Sequence, residues 1–269
     1  MSRQKLGQHF LADVSWRKRI ADTLPACPDS VWLEIGAGHG EMTQLLAQRA
    51  RRVIAIETDP ALASVVRQRA VTEWPNVEVV ESDILLTDLL ALAHDRFRVY
   101  GNLPYYITSP ILAHLFRFAA HIDSIHVVTQ LEVAQRIAAH PGTRDYGYLS
   151  TLCRYYARPE LLFRIPPGAF HPPPKVTSAL LEMHLPGERA SLDIHDDAAF
   201  LNFMQLCFAH KRKTLRNNLR DTYPHDAIAK ALLSSALTGT SRAEELTLRQ
   251  FAQLFAALPC SSGPVPIVF

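Results

Sequence analysis

The sequence predicts an α/β protein: an open, mostly parallel sheet covered on both faces, followed by a smaller all-helical domain. Three observations carry this. Short apolar stretches alternate with helix-like stretches over residues 30–186, the pattern of strands joined by crossover helices and buried on both faces. After Pro186-Gly187 the alternation stops and only helical periodicity remains. With 48% apolar and 20% charged residues in a chain of 269, there is enough apolar surface to build such a core.

Taken in order, Val31–Ile35 is apolar and runs into a glycine turn, residues 41–50 read as a helix, and residues 52–56 as a second strand. Residues 60–70 are helical, with Pro60 in the first turn, where its missing N–H costs nothing. Residues 77–80, 97–100 and 125–128 read as further strands with helices between them, and 160–165 and 178–185 as a closing strand pair. The segment joining that pair holds Pro166, Pro167, Pro172, Pro173 and Pro174. Proline removes backbone donors and stiffens the chain, so this is an ordered loop outside the sheet. In the second domain Phe200, Phe203, Met204, Cys207 and Phe208 fall at i, i+3, i+4, i+7, i+8, one apolar helix face. Residues 246–258 form a final helix, and the Pro/Ser/Gly-rich residues 261–269 are expected to be a mobile tail.

Some function classes are excluded early. No apolar run approaches the ~20 residues of a membrane span, and residues 1–11 lack the apolar stretch of a signal peptide. Cys27, Cys153, Cys207 and Cys260 are scattered, with neither zinc nor redox spacing. A cytoplasmic, metal-free protein with reduced thiols is expected. The formal net charge of +2 decides nothing about nucleic acid, because distribution matters more than the sum.

The first strand runs into Glu34-Ile35-Gly36-Ala37-Gly38-His39-Gly40. Glycines there let the backbone adopt positive φ and approach a ligand closely. Glu57 ends the next strand, twenty-one residues past Gly36, where an acid can accept from a ribose diol. Together they indicate a nucleoside cofactor. The spacing is G-x-G-x-G, and the dinucleotide fingerprint G-x-G-x-x-G would place glycine where Glu41 stands. Glu41 would repel a pyrophosphate. S-adenosyl-L-methionine has no phosphate and carries a positive sulfonium, which acidic surroundings such as Glu34 suit. Asp83, at the end of the following strand, is placed either to accept from an adenine amine or to cap a helix.

The fourth strand ends in Gly101-Asn102-Leu103-Pro104-Tyr105. Asn-Leu-Pro-Tyr at this point of such a fold resembles the motif of amino-methyltransferases acting on adenine. The chemistry explains the residue types. Adenine's exocyclic nitrogen is a poor nucleophile because its lone pair is delocalised into the ring. Two acceptors, the Asn102 side-chain oxygen and the Leu103 carbonyl, can hold its hydrogens and favour a pyramidal nitrogen, with Pro104 fixing the turn. Tyr105 can stack on a base turned out of its helix. Phe170, held in the proline loop Phe170-His-Pro-Pro-Pro-Lys-Val-Thr-Ser178, is expected to stack on the base's other side.

The resemblance extends over essentially the whole chain. Lys5-Leu-Gly-Gln8-His9-Phe10-Leu11, Leu33-Glu-Ile-Gly-Ala-Gly38, Glu57, Asp83, Asn102-Leu-Pro-Tyr105 and Phe170 to Ser178 follow at the spacing of the ribosomal RNA adenine dimethyltransferases. The resemblance implies a Rossmann-like S-adenosylmethionine-dependent methyltransferase domain over residues 1–186 and a small helical RNA-binding domain over 187–269. It implies cofactor contacts at His9, Leu11, Gly36, Glu57, Asp83 and Asn102; His9 stands where many family members have Asn. Leu103 and the segment Lys211 to Leu219 are similar to the bacterial small-subunit branch of the family, where relatives acting on large-subunit RNA usually carry Ile in place of Leu103. That branch implies action on the small ribosomal subunit, on two adjacent adenines near the 3′ end of 16S rRNA. A monomer is expected because no large unexplained apolar surface is apparent in the sequence.

Lys211, Arg212, Lys213, Arg216 and Arg220 place five positive charges in ten residues with no acid among them. Arg212, Arg216 and Arg220 recur at i, i+4, so on a helix they share one face, a phosphate-reading strip in a chain of this kind. Three other readings compete: large-subunit rRNA or DNA as substrate, a non-catalytic nucleic-acid-binding role on the same fold, and a nicotinamide dehydrogenase. The glycine spacing argues against the last.

Overall fold

The computed structural model describes residues 9–259; residues 5–8 of the N-terminal motif, Cys260 and the 261–269 segment lie outside the described residues. The strands are β1 (Phe10–Leu11), β2 (Val31–Ile35), β3 (Arg52–Glu57), β4 (Val77–Glu81), β5 (Phe97–Asn102), β6 (Ile122–Gln130), β7 (Arg158–Ile165), β8 (Phe170–His171) and β9 (Ser178–His184). The helices are α1 (Val14–Thr23), α2 (Glu41–Ala47), α3 (Pro60–Glu73), α4 (Leu89–Ala93), α5 (Thr108–Phe116), α6 (Leu131–Ala138), α7 (Tyr148–Tyr156), α8 (Asp197–Cys207), α9 (Leu215–Leu219), α10 (His225–Ser234) and α11 (Leu248–Ala257).

Two compact units result. The first runs through Ala134 and includes Pro159–Leu185; the second holds Gln135–Arg158 and the chain from Pro186 onward. This differs from the single cut expected after residue 186. Segment Gln135–Arg158 lies between strands in chain order, as a crossover would, yet its apolar positions pack with the C-terminal helices. Tyr155 packs on Phe200 at 5.4 Å between ring centroids and donates its hydroxyl to Asp197 Oδ1 at 2.7 Å. Tyr146 donates to the Leu246 carbonyl at 3.0 Å.

In the first unit seven strands make one sheet of order β4-β3-β2-β5-β6-β9-β7. The strands β4, β3, β2, β5 and β6 are parallel, and β9 returns antiparallel to β6. The chain enters at β2, moves outward to β3 and β4, then crosses back to β5 on the other side of β2. The switch point therefore lies between β2 and β5, and the crevice outside their carboxyl ends is where ligands of open α/β sheets bind. The central strands are apolar on both faces, as double coverage requires: β2 is buried along its whole length, whereas the edge strands β4 and β7 carry exposed charged residues. α1, α2 and the β7–β8 connection close one face over Trp32, Val53, Tyr100, Val128 and Leu180.

A second, two-stranded sheet went unread in the sequence because its strands are two residues long. β1 pairs antiparallel with β8, Phe10 opposite His171 and Leu11 opposite Phe170. The Ala12 and Asp13 N–H groups both donate to the Ala169 carbonyl, and Asp13 then caps α1 through Ser15 and Trp16. Residues 10–13 are thus strapped to the proline loop.

The second unit is helical apart from its loops. Phe200, Phe203, Met204 and Cys207 are buried on one face of α8, as their spacing requires. Phe255 of α11 packs against both Phe200 and Phe203. Burying each such ring contributes on the order of 1.5–3 kcal/mol. Cys153 and Cys207 are buried thiols, and Cys27 is half-buried.

Candidate active site

Four strand ends converge on the crevice. Glycines 36, 38 and 40, after β2, all have positive φ: +73°, +58° and +85°, a conformation L side chains rarely adopt. A Cβ on Gly38 would lie 3.2 Å from the Phe10 ring, and one on Gly40 3.1 Å from Trp74; one on Gly36 would meet nothing within 4 Å. Gly38 and Gly40 thus fit the loop into the protein, whereas Gly36 opens towards free space.

Glu57, ending β3, is buried, and its orientation is set by two backbone donors. Gly38 N–H donates to Oε2 and Asp59 N–H to Oε1, each at 2.9 Å. Each oxygen keeps a further lone pair. Asp83, after β4, is exposed and accepts from the Leu85 N–H at 2.9 Å through Oδ1. It caps a short 3₁₀ turn while Oδ2 has no partner among the described residues, so the capping and ligand roles are compatible.

Glu34 departs from expectation. It is 2% exposed, accepts from the Thr43 hydroxyl at 2.5 Å, and has its pKa pushed up to about 8, chiefly by burial. At neutral pH it is mostly a neutral acid inside the sheet, so it does not supply the negative charge expected beside a sulfonium. Burial outweighs the hydroxyl's stabilisation of the anion.

At the end of β5, Asn102 Nδ2 donates to the His9 carbonyl at 2.8 Å. That bond orients the amide: the nitrogen is committed to the strap, and Oδ1 is left as the acceptor. The Leu103 N–H donates to the Val128 carbonyl at 3.0 Å, and the buried Leu103 side chain anchors the turn. Ile107 N–H closes on the Pro104 carbonyl at 3.2 Å, a four-residue turn with both tyrosines at its corners. Tyr105 is half-buried: its hydroxyl bonds Ser178 Oγ at 2.7 Å, and its ring stacks on His9 at 5.7 Å. Burial raises its pKa. His9 in turn donates Nδ1–H to the Pro172 carbonyl at 2.7 Å. The role of Ser178 was missed in the sequence; its place at the end of the Phe170 motif was the one signal for it.

Three expectations need correction or narrowing. Phe170 is 3% exposed and packs in the core with Leu11, Ile165 and Ala169. It offers no free face to a base, because pairing with β1 turns its ring inward. Leu11 is buried in the same core, which leaves its backbone for any ligand contact. The basic segment is not one helix: Lys211, Arg212 and Lys213 lie in a turn, Thr214 caps α9, and α9 ends before Arg220. The i, i+4 register of the arginines is therefore broken at Thr214. All five cations are exposed. Lys211 donates to the Arg144 carbonyl, Arg216 bonds His225, and Arg220 pairs with Asp221 at 3.5 Å.

The sheet order, with the glycine loop and the Asn-Leu-Pro-Tyr turn at adjacent strand ends, defines a Rossmann-like methyltransferase. The chain belongs to the ribosomal RNA adenine dimethylase family, whose model matches residues 1–259. It is 46% identical to the ribosomal RNA small subunit methyltransferase A of Acidobacterium capsulatum, over 94% of this chain and 90% of that one. It is 42% identical to the protein of the same name in Koribacter versatilis, over 94% and 93%. Among crystal structures it is similar to the 23S rRNA methyltransferase ErmE, with 30% identity, TM-score 0.70 and coverage of 93% of this chain and 99% of that one. A dimethyladenosine transferase from Plasmodium falciparum shares the fold, with 24% identity, TM-score 0.75 and coverage of 91% and 96%.

Proposed function

We propose that this chain is a cytoplasmic S-adenosylmethionine-dependent enzyme that converts two adjacent adenines near the 3′ end of 16S rRNA to N6,N6-dimethyladenosine. The observation that carries the reading is the tether on Asn102. With Nδ2 held by the His9 carbonyl, Oδ1 stands as a fixed acceptor next in sequence to the Leu103 carbonyl. Two fixed acceptors are what a delocalised aromatic amine needs: they hold its two hydrogens, favour a localised lone pair, and stabilise the positive charge that develops on nitrogen. No base need remove a proton first. Tyr105, clamped by Ser178 and His9, offers a rigid ring edge or face to the base.

The residues present fit S-adenosylmethionine. Gly36 opens to free space, Glu57 has its carboxylate aimed by two backbone donors, and Asp83 keeps one oxygen unengaged among the described residues. Gly36, Glu57, Asp83 and the backbone around His9 and Leu11 would hold the cofactor, which when bound supplies a methyl group activated by a sulfonium. The small-subunit assignment draws on the relatives named for it and on Leu103. Lys211, Arg212, Lys213, Arg216 and Arg220 are proposed to contact RNA phosphates.

The test is methyl transfer from labelled S-adenosylmethionine, read by nucleoside mass spectrometry, with unmodified small subunits, naked small-subunit RNA, large subunits and duplex DNA as substrates. Dimethyladenosine from small subunits supports the reading. Label in large subunits or DNA instead moves the substrate, and no transfer to any of them overturns the catalytic assignment.

A further inference from the structure

The corrected position of Phe170 leaves a gap at the site. Of the aromatic rings that the sequence offers to a base, Phe170 is in the core and Tyr105 is half-buried and clamped. Yet one aromatic side chain is largely exposed. Tyr106 is 72% exposed, the one aromatic among the exposed large hydrophobic side chains of the described residues. It occupies the second corner of the turn closed by Ile107 on Pro104, directly after the residue that Ser178 pulls inward. The backbone beneath it is held on both sides: Leu103 N–H is bonded to β6, and α5 begins two residues later. A rigid turn therefore holds an uncovered phenol ring four residues from Asn102.

A ring exposed to this extent contributes little to folding through apolar burial, so it is free to meet a ligand. Its place is at the carboxyl edge of the sheet, where two other exposed apolar side chains also fall. Leu86 (84% exposed) follows β4, and Val176 (45%) precedes β9, whose first residue pairs with the end of β6. Nucleobases are the flat, apolar-faced groups that such a ring recognises in single-stranded RNA, and stacking on an aromatic side chain is tolerant of sequence.

We infer that Tyr106 is a positioning residue that stacks on the base adjacent to the adenine being methylated. The inference rests on the adenine-methyltransferase reading and deepens it. The target base enters the crevice beside Asn102, which splays it from its neighbour. The neighbour loses a stacking partner and Tyr106 replaces it, so the two adjacent adenines are held apart in a fixed register. The residue acts on where the RNA sits, not on the transfer itself.

The experiment compares wild type, Tyr106→Ala and Tyr106→Phe on small subunits whose 16S 3′ end is rebuilt by ligating a synthetic fragment carrying either the normal neighbour or an abasic site. Tyr106→Ala should raise KM for the subunit by about tenfold, with kcat changed far less, and Phe should restore it. The abasic neighbour should cost wild type a similar factor and cost Tyr106→Ala little more. A KM for Tyr106→Ala within twofold of wild type, or losses that multiply, would overturn the proposal. Tyr106→Trp supplies a readout independent of catalysis: its fluorescence should be quenched by the RNA fragment with the normal neighbour and not by the abasic one. Equal quenching by both also sinks the inference. A wild type that methylates no RNA would instead overturn the proposed function, while the fluorescence of the Tyr106→Trp variant still reports on stacking.

Discussion

Replacing Asn102 by alanine separates two jobs of one side chain. Its oxygen is assigned as an acceptor for the adenine amine, and its nitrogen holds the His9 carbonyl at 2.8 Å. Removing a preorganised hydrogen-bonding group that acts on the transition state lowers kcat by about 10²–10³. Losing the strap bond costs about 0.5–1.5 kcal/mol, which for a chain of this size is a fall in Tm of about 1–6 °C. S-adenosylmethionine affinity, measured by calorimetry, should stay within about tenfold of wild type, because the glycine loop and Glu57 are untouched. Asn102→Asp sharpens the test. It keeps an acceptor oxygen but turns the donor into a second oxygen facing the His9 carbonyl, so its Tm should fall at least as far as that of the alanine variant. Single-turnover methyl transfer on small subunits and thermal melts read both effects. A kcat within threefold of wild type for Asn102→Ala would refute the acceptor assignment, and unchanged Tm in both variants would refute the tether to His9.

Glu57→Ala should act on the cofactor: calorimetry should show S-adenosylmethionine bound at least about tenfold more weakly, the scale of a lost charge-assisted hydrogen bond, and unchanged affinity would remove Glu57 from the site. Changing Arg216 and Arg220 to Glu should weaken RNA binding and flatten its dependence on salt concentration in filter-binding titrations; the same affinity and slope would exclude this surface. Glu34 has a pH signature. Its folded pKa, near 8, is raised above the ordinary carboxylate value, so the protonated acid favours the fold below about 4.5 and that contribution is lost as pH rises towards 8. Glu34→Gln removes the titration, so the Tm of the variant relative to wild type should climb between pH 5 and pH 8. A difference that does not vary with pH would mean that Glu34 ionises freely in the fold. His126 adds the opposite trend in acid, since burial depresses its pKa to about 3: the ring is neutral in the fold, makes no ion pair with Glu182 at 3.7 Å, and favours unfolding as pH falls below about 6.5.

Much of this protein is written in local pattern. Alternating apolar stretches at strand and helix periods identify β2 to β6 and the helices between them, because side-chain periodicity is set by the residue's own backbone geometry. Gly36, Gly38 and Gly40 were legible for the same reason: a turn needing positive φ selects glycine locally, and all three have it. Glu57, Asp83 and Asn102 were legible as a set because parallel strands joined by crossovers bring successive carboxyl ends to one edge.

What the tertiary structure alone decided depends on partners far along the chain. Which amide atom of Asn102 faces the crevice is chosen by His9, 93 residues away, and which way Tyr105 turns is chosen by Ser178, 73 away. Phe170 looks the same in sequence whether it is a platform or a core residue; a two-stranded pairing with Phe10–Leu11 made it core. Glu34 looks like a surface charge beside a glycine loop, and only its depth in a doubly covered sheet makes it a neutral acid. Segment Gln135–Arg158 follows the α/β alternation in order but belongs to the helical unit by packing. In each case the residue's conformation is a local matter, whereas its exposure, charge and hydrogen-bond partner are fixed by which distant surface closes over it.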